Sequence, residues 1–241
     1  MRVPLIVPIF GVWGANTGVG KTLVSAALVA AQVSAARTTL FLKPLQTGFP
    51  SDSDAELVAR AATHRRAACS VVHSLGDHAA AAAGATGWTS HLSSSPARVQ
   101  CRTLFAWNAA VGPHVAVQRE GRPVSDDVLV DDTAREVNSW AASVSADSQA
   151  HALALVEGAG GVASPGPSGR LQCDVYRRMR LPVVLVGDGR LGCVPCLFAA
   201  AQLEKSPLTQ CFVTQGNLCD GVCVRNVASA RLRCRSLGHP G

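Results

Sequence analysis

Apolar residues along this chain follow two patterns. Short unbroken runs occupy residues 5–12, 39–42, 152–156 and 181–186, each the length of a strand buried on both faces. Between them, residues 22–36, 54–62, 103–118 and 126–145 repeat apolar positions at helical spacing and predict amphipathic helices. Asp52 or Ser53 stands where a side-chain oxygen would cap the helix at 54–62. Pro182 lies near the start of its run, where a missing N–H does least harm. Residues 69–100 are polar and rich in alanine and serine; they predict a loop insertion with His73, His78 and His91 in solvent. Strands that alternate with helices predict an α/β fold, a mostly parallel sheet with helices on both faces and ligands at the carboxyl ends of its strands.

The first strand-to-helix turn carries chemistry. It reads Gly14-Ala15-Asn16-Thr17-Gly18-Val19-Gly20-Lys21-Thr22, which counted from Ala15 is A-x-x-x-x-G-K-T. Backbone N–H groups of such a loop bind phosphate oxygens, and the helix N-terminus adds positive potential. The lysine is placed for the β- and γ-phosphates and the threonine hydroxyl for Mg²⁺. The fold is therefore expected to be of the P-loop NTPase type.

Three more segments converge on the same sheet edge. Leu42-Lys43-Pro44-Leu45-Gln46-Thr47-Gly48 offers a lysine at a strand end and a hydroxyl four residues on. Ser51-Asp52-Ser53-Asp54-Ala55 places acids at a helix start, and Val156-Glu157-Gly158 places one at the end of an apolar strand. Each has an ordinary use, as a solvated lysine, a helix cap or a turn carboxylate. Together they supply what phosphoryl transfer needs. Mg²⁺ takes few protein oxygens, and Thr22, Asp54 and Glu157 suit it. Lys21 and Lys43 beside a γ-phosphate can hold an anionic acceptor and neutralise charge in the transition state.

Composition narrows the class further. The chain has 241 residues, 48% of them hydrophobic, enough for one α/β domain with a real core. Its net charge of +6 comes from scattered arginines with a single tyrosine to stack on bases, so no nucleic-acid partner is expected. No apolar run approaches the ~18 residues of a membrane span. Met1-Arg2-Val3-Pro4 is too short for a targeting segment ahead of the first strand. Of nine cysteines, Cys69, Cys101 and Cys173 are spread over the main body and the rest follow Gly192. A reducing compartment is the expectation for a chain of this size and type.

On these motifs the chain resembles the dethiobiotin synthases. The matching stretches are 14–22, 43–48, 53–55, 112–114, 155–161 and 181–192, and 49–50, 103–107 and 163–174 look most like the plant, algal and fungal version fused ahead of a diaminopelargonic acid aminotransferase. The resemblance implies a ligase that makes dethiobiotin from 7,8-diaminopelargonic acid, CO₂ and ATP, through a carbamate and a carbamic–phosphoric anhydride. It implies that Lys21 and Lys43 stabilise charge, and that Thr17 and Thr47 hold substrate. Gly14, Asn16, Gly18, Val19, Gly20, Lys21 and Thr22 would bind nucleotide, and Thr22, Asp54 and Glu157 would hold Mg²⁺. Gly18 stands where some relatives carry an acid, so that contact is missing. A homodimer with substrate near the subunit interface, an aminotransferase partner and a mitochondrial location, with the cytoplasm as the alternative compartment, are further implications.

The resemblance decays after Gly192. A domain is expected over 1–192, followed over 193–241 by a cysteine- and arginine-rich segment that reads as a replaced or truncated end, in which Asn217 and Asn226 lack the context of an adenine-reading strand. The alternative for this segment is a zinc appendage on Cys193, Cys196, Cys219 and Cys223. Three rival functions share some of these motifs. Cobyrinic acid amidating ligases need a glutaminase domain, for which 241 residues are too few. Switch ATPases carry an additional lysine near the start of the loop, where this chain reads Gly14-Ala15-Asn16-Thr17. A catalytically inactive remnant that only binds a partner would account for the tail.

Overall fold

The apolar runs mark strands of one parallel sheet in the computed structural model, which describes residues 7–65, 67–73, 98–144, 151–188 and 209–214. The strands are β1 (Ile9–Gly14), β2 (Thr39–Thr47), β3 (Ala68–His73), β4 (Arg98–Trp107), β5 (Leu153–Gly161), β6 (Val183–Asp188) and β7 (Thr209–Thr214). The helices are α1 (Lys21–Ser34), α2 (Asp54–His64), α3 (Pro113–Glu120), α4 (Asp126–Ser143) and the short α5 (Gln172–Tyr176). The strand order is β3-β4-β2-β5-β1-β6-β7 and every neighbouring pair is parallel. This is the expected α/β, P-loop-type sheet, with helices on both faces.

The period of two along each strand divides the core in two. Leu40 and Leu42 of β2, Val156 of β5 and Leu185 of β6 pack on one face with Leu129, Val137 and Trp140 of α4. Phe41, Leu155, Val184 and Val186 point the other way, onto Val24, Val29 and Val33 of α1 and Val58 and Ala62 of α2. Ser53 is the cap of α2, its hydroxyl accepting from Glu56 N at 3.3 Å.

Several expectations are corrected. The helix expected over 103–118 is instead the second half of β4 followed, after a turn, by α3. The apolar group Leu104-Phe105-Ala106-Trp107 is consistent with either period. Upstream, Val99, Cys101 and Thr103 are buried while Gln100 and Arg102 are only half-buried, which is a strand's alternation. Pro113 then starts α3 in its first turn, where proline is tolerated. The loop expected at 69–100 is occupied at its two ends by β3 and the start of β4; its middle, with His78 and His91, lies outside the described residues. His73 is not solvated: it is buried, edge-on to Phe49 with ring centroids 4.8 Å apart. Beyond Gly192, β7 pairs with β6 from Val183↔Thr209 to Asp188↔Thr214. The cysteines of the expected zinc appendage, and Asn217 and Asn226, lie outside the described residues. Cys69, Cys101 and Cys173 are all buried.

Candidate active site

The site lies where the ladder on both sides of β5 gives way. Pairing of β2 with β5 stops at Leu42↔Val156, and the register of β1 with β5 shifts after Val12↔Glu157. Lys43 and Glu157, the next residues along, are therefore inside their strands rather than beyond them, a correction to the expected boundaries. Their side chains meet between β2 and β5. β2 itself continues beside β4 through Lys43↔Thr103 and Leu45↔Phe105, with Pro44 between.

The phosphate-type loop connects β1 to α1. Gly14 has no room for a side chain, since a Cβ there would lie 2.7 Å from Asn16 O and 2.9 Å from Val19 Cγ2. Gly18 and Gly20 adopt φ of 74° and 91°, which a residue with a Cβ rarely reaches. Asn16 Oδ1 accepts from Thr17 N at 2.8 Å and orders the exposed apex formed by Asn16, Thr17 and Gly18. Val19 is buried beneath it. Gly20 caps α1 without a side-chain hydrogen bond, and the first turn holds no acid. The positive end of the helix dipole thus faces the loop uncompensated by any side chain of that turn. The far wall is glycine too: a Cβ on Gly161 would lie 3.0 Å from Asn16 Cα, and one on Gly160 would lie 3.4 Å from Thr17 Oγ1.

Five of the expected residues converge. Thr22 Oγ1 lies 2.9 Å from Asp54 Oδ1 and 2.9 Å from Glu157 Oε1. Lys43 Nζ is 2.6 Å from Asp54 Oδ2, donates to Glu157 Oε1 at 2.9 Å and donates to Gly158 O at 3.1 Å. Lys21 is also buried, and its pKa is pushed down to about 8, first by burial and then by the charge of Lys43. Burial acts on Lys43 in the same direction, but Glu157 and Asp54 outweigh it and hold its pKa above that of a free lysine. The site therefore holds one firmly charged ammonium and one that is more easily deprotonated. Thr17 sits on the exposed apex, and Thr47 closes β2, its carbonyl accepting from Gln46 Nε2 at 2.9 Å.

Buried polar side chains that sequence reasoning passed over hold these groups in place. Ser25 Oγ donates to Glu157 Oε2 at 2.5 Å. Gln46 donates to Asp52 O at 2.6 Å and accepts from Asp54 N at 3.2 Å, which fixes the segment that delivers Asp54. Gln172, wholly buried, grips Ala159 with both ends of its amide, at 3.2 Å to the N–H and 2.5 Å to the carbonyl. A serine three residues beyond Thr22 was the only local signal of these. Among the described residues no three His, Cys, Asp or Glu side chains gather as a metal cluster. The hard-oxygen set of one hydroxyl and two carboxylates is what Mg²⁺ takes when phosphates supply its other ligands.

A family model described as an AAA domain matches residues 10–83 and 72–207. The chain is 43% identical, over 82% of its length, to the bifunctional dethiobiotin synthetase/7,8-diamino-pelargonic acid aminotransferase, mitochondrial, of Oryza sativa subsp. japonica. It is 39% identical, over 85% of its length, to the protein of the same description from Arabidopsis thaliana. It spans only 26% and 27% of those two proteins. The ATP-dependent dethiobiotin synthetase BioD of Methylobacterium nodulans is 30% identical over 75% of this chain and 68% of its own length.

Proposed function

This chain belongs to the AAA domain family and to the dethiobiotin synthetases, and from that premise we propose that it is an ATP-dependent ligase of biotin synthesis. It closes the ureido ring of dethiobiotin from 7,8-diaminopelargonic acid, CO₂ and ATP. CO₂ adds to one amine, which loses a proton and becomes a carbamate. A carbamate oxygen attacks the γ-phosphorus, ADP leaves, and a carbamic–phosphoric anhydride remains. The second amine attacks the carbonyl carbon and expels phosphate as the ring closes.

The observation that carries this reading is the meeting of Lys21 and Lys43 with Asp54 and Glu157 beside the loop. A carbamate is a weak anionic nucleophile, and it must approach an anionic triphosphate. Cations held between the two reduce that repulsion and stabilise the charge that develops in transfer. Lys21 serves the phosphates and Lys43 the carbamate and the γ-phosphate. Thr17 and Thr47 orient the substrate, and amides of Gly14, Asn16, Gly18, Val19 and Gly20 receive phosphate oxygens. Thr22, Asp54 and Glu157 would hold Mg²⁺, which when bound neutralises phosphate charge.

The names of the plant relatives support a longer chain carrying an aminotransferase and a mitochondrial location. A homodimer belongs to the same reading. Among the described residues no helix is long and apolar enough to cross a membrane.

Phosphate release from ATP and Mg²⁺ tests the proposal. Release that needs both 7,8-diaminopelargonic acid and bicarbonate is the expected result. Release indifferent to the diamine would favour a switch ATPase, and absence of nucleotide binding would mark a remnant.

A further inference from the structure

We infer that Ser25 is a positioning residue that limits Glu157 to one metal-facing oxygen and so sets the preference of the site for Mg²⁺ over larger divalent cations. The inference rests on the reading of Glu157 as a metal ligand. Thr22 and Ser25 lie three positions apart on α1, so their hydroxyls share one helical face. Both reach the same carboxylate. Thr22 Oγ1 and Lys43 Nζ each lie 2.9 Å from Oε1, whereas Ser25 Oγ donates to Oε2 at 2.5 Å. Ser25 and Glu157 are both wholly buried, so water does not compete for that bond.

A carboxylate whose second oxygen is tied to a buried donor cannot readily rotate to offer both oxygens to one ion. Mg²⁺ requires near-ideal octahedral geometry and is served by single carboxylate oxygens, whereas Ca²⁺ accepts bidentate carboxylates and more ligands. Holding Oε2 away from the metal therefore favours the smaller ion. Ser25 touches no reactant in this account and acts only through Glu157.

The test is calorimetric binding of a non-hydrolysable ATP analogue to the full chain at varied Mg²⁺ or Ca²⁺, with no turnover required. Ser25→Ala is expected to weaken the Mg²⁺-dependent gain in analogue affinity by about tenfold, the scale of a lost hydrogen bond to a charged group. The Ca²⁺-dependent gain should fall by less than about threefold, and metal-free binding should be unchanged. Ser25→Cys, close to serine in size but a weak donor, should behave like Ser25→Ala. Ser25→Thr, which keeps the hydroxyl, should restore the preference for Mg²⁺. An equal loss for both metals, or an unchanged ratio in the alanine and cysteine variants, overturns the inference. Glu157→Gln run beside them separates the two levels. If it leaves the Mg²⁺ response intact, the metal role of Glu157 fails and takes this inference with it. If it removes that response while Ser25→Ala leaves the metal ratio unchanged, only the role of Ser25 fails.

Discussion

The hydroxyl of Thr22 donates to Glu157 Oε1 at 2.9 Å, although the two residues are 135 positions apart. That bond joins the first turn of α1 to the centre of β5, and Lys43 reaches the same oxygen from β2. Three elements adjacent in the sheet but distant in sequence thus share one carboxylate.

Lys43→Ala should abolish ligase turnover while nucleotide affinity changes by less than about threefold, because the loop amides and Lys21 hold most of the bound phosphate charge and Lys43 acts on the γ-phosphate chiefly as charge develops in transfer. The variant should also lose about 3 kcal/mol of stability, since it leaves the buried Glu157 without its cation. Phosphate release, analogue binding and a denaturant melt measure the three effects separately. Equal loss of turnover and nucleotide binding would make Lys43 a structural residue.

Glu157→Gln keeps the shape of the side chain and removes its charge. The Mg²⁺ concentration for half-maximal analogue binding should rise by at least about tenfold. An unchanged Mg²⁺ dependence would remove Glu157 from the metal shell.

Lys21 makes nucleotide binding pH-dependent. With its pKa at about 8, it is charged at pH 7 and mostly neutral at pH 9. A bound triphosphate favours the charged form, so binding at pH 8 should take up a fraction of a proton, seen as a dependence of the calorimetric heat on buffer ionisation enthalpy. Affinity should fall between pH 7 and pH 9, and Lys21→Arg should flatten the profile. Stability moves the opposite way. The folded state binds this proton more weakly than the unfolded chain, so the contribution of Lys21 to stability rises as pH goes from about 8 to 10.5. Lys43, whose pKa is raised, contributes in the reverse sense and only above that window. A pH-independent affinity in the wild-type chain would refute the assignment of Lys21 to the phosphates.

Gly158→Ala should destabilise the fold by about 1–3 kcal/mol through overpacking. A Cβ there would lie 2.2 Å from Trp13 Cζ3, and Trp13 is held edge-on against Tyr176 with ring centroids 5.2 Å apart. Trp13 is buried, so its displacement should shift the emission spectrum as well as lower the melting temperature. A melting temperature within a degree of the wild-type value would show that the ring pair yields without cost.

The P-loop, the α/β class and the four principal apolar runs were legible from sequence because each is a local property. Strand, turn and helix signals there fall within a few residues of one another, and glycine is dictated by the backbone it must adopt. Asp54 was legible as an acid at a helix start, and Glu157 as an acid after an apolar run, although it lies inside β5 and not at its end. The span 103–107 reads as helix from the sequence because its apolar residues are compatible with both periods, and only pairing with β2 and β3 decides between them. The sheet order was not legible either, since no local rule says that β5 lies between β1 and β2. That order decides that Thr22, Ser25 and Lys43 all reach one carboxylate, and that Gln46 and Gln172 are buried as clamps rather than solvated. The sequence by itself determined which chemical groups the site has. The tertiary structure alone decided which oxygen each of them faces, because long-range pairing and burial, unlike turn chemistry, depend on residues far apart along the chain.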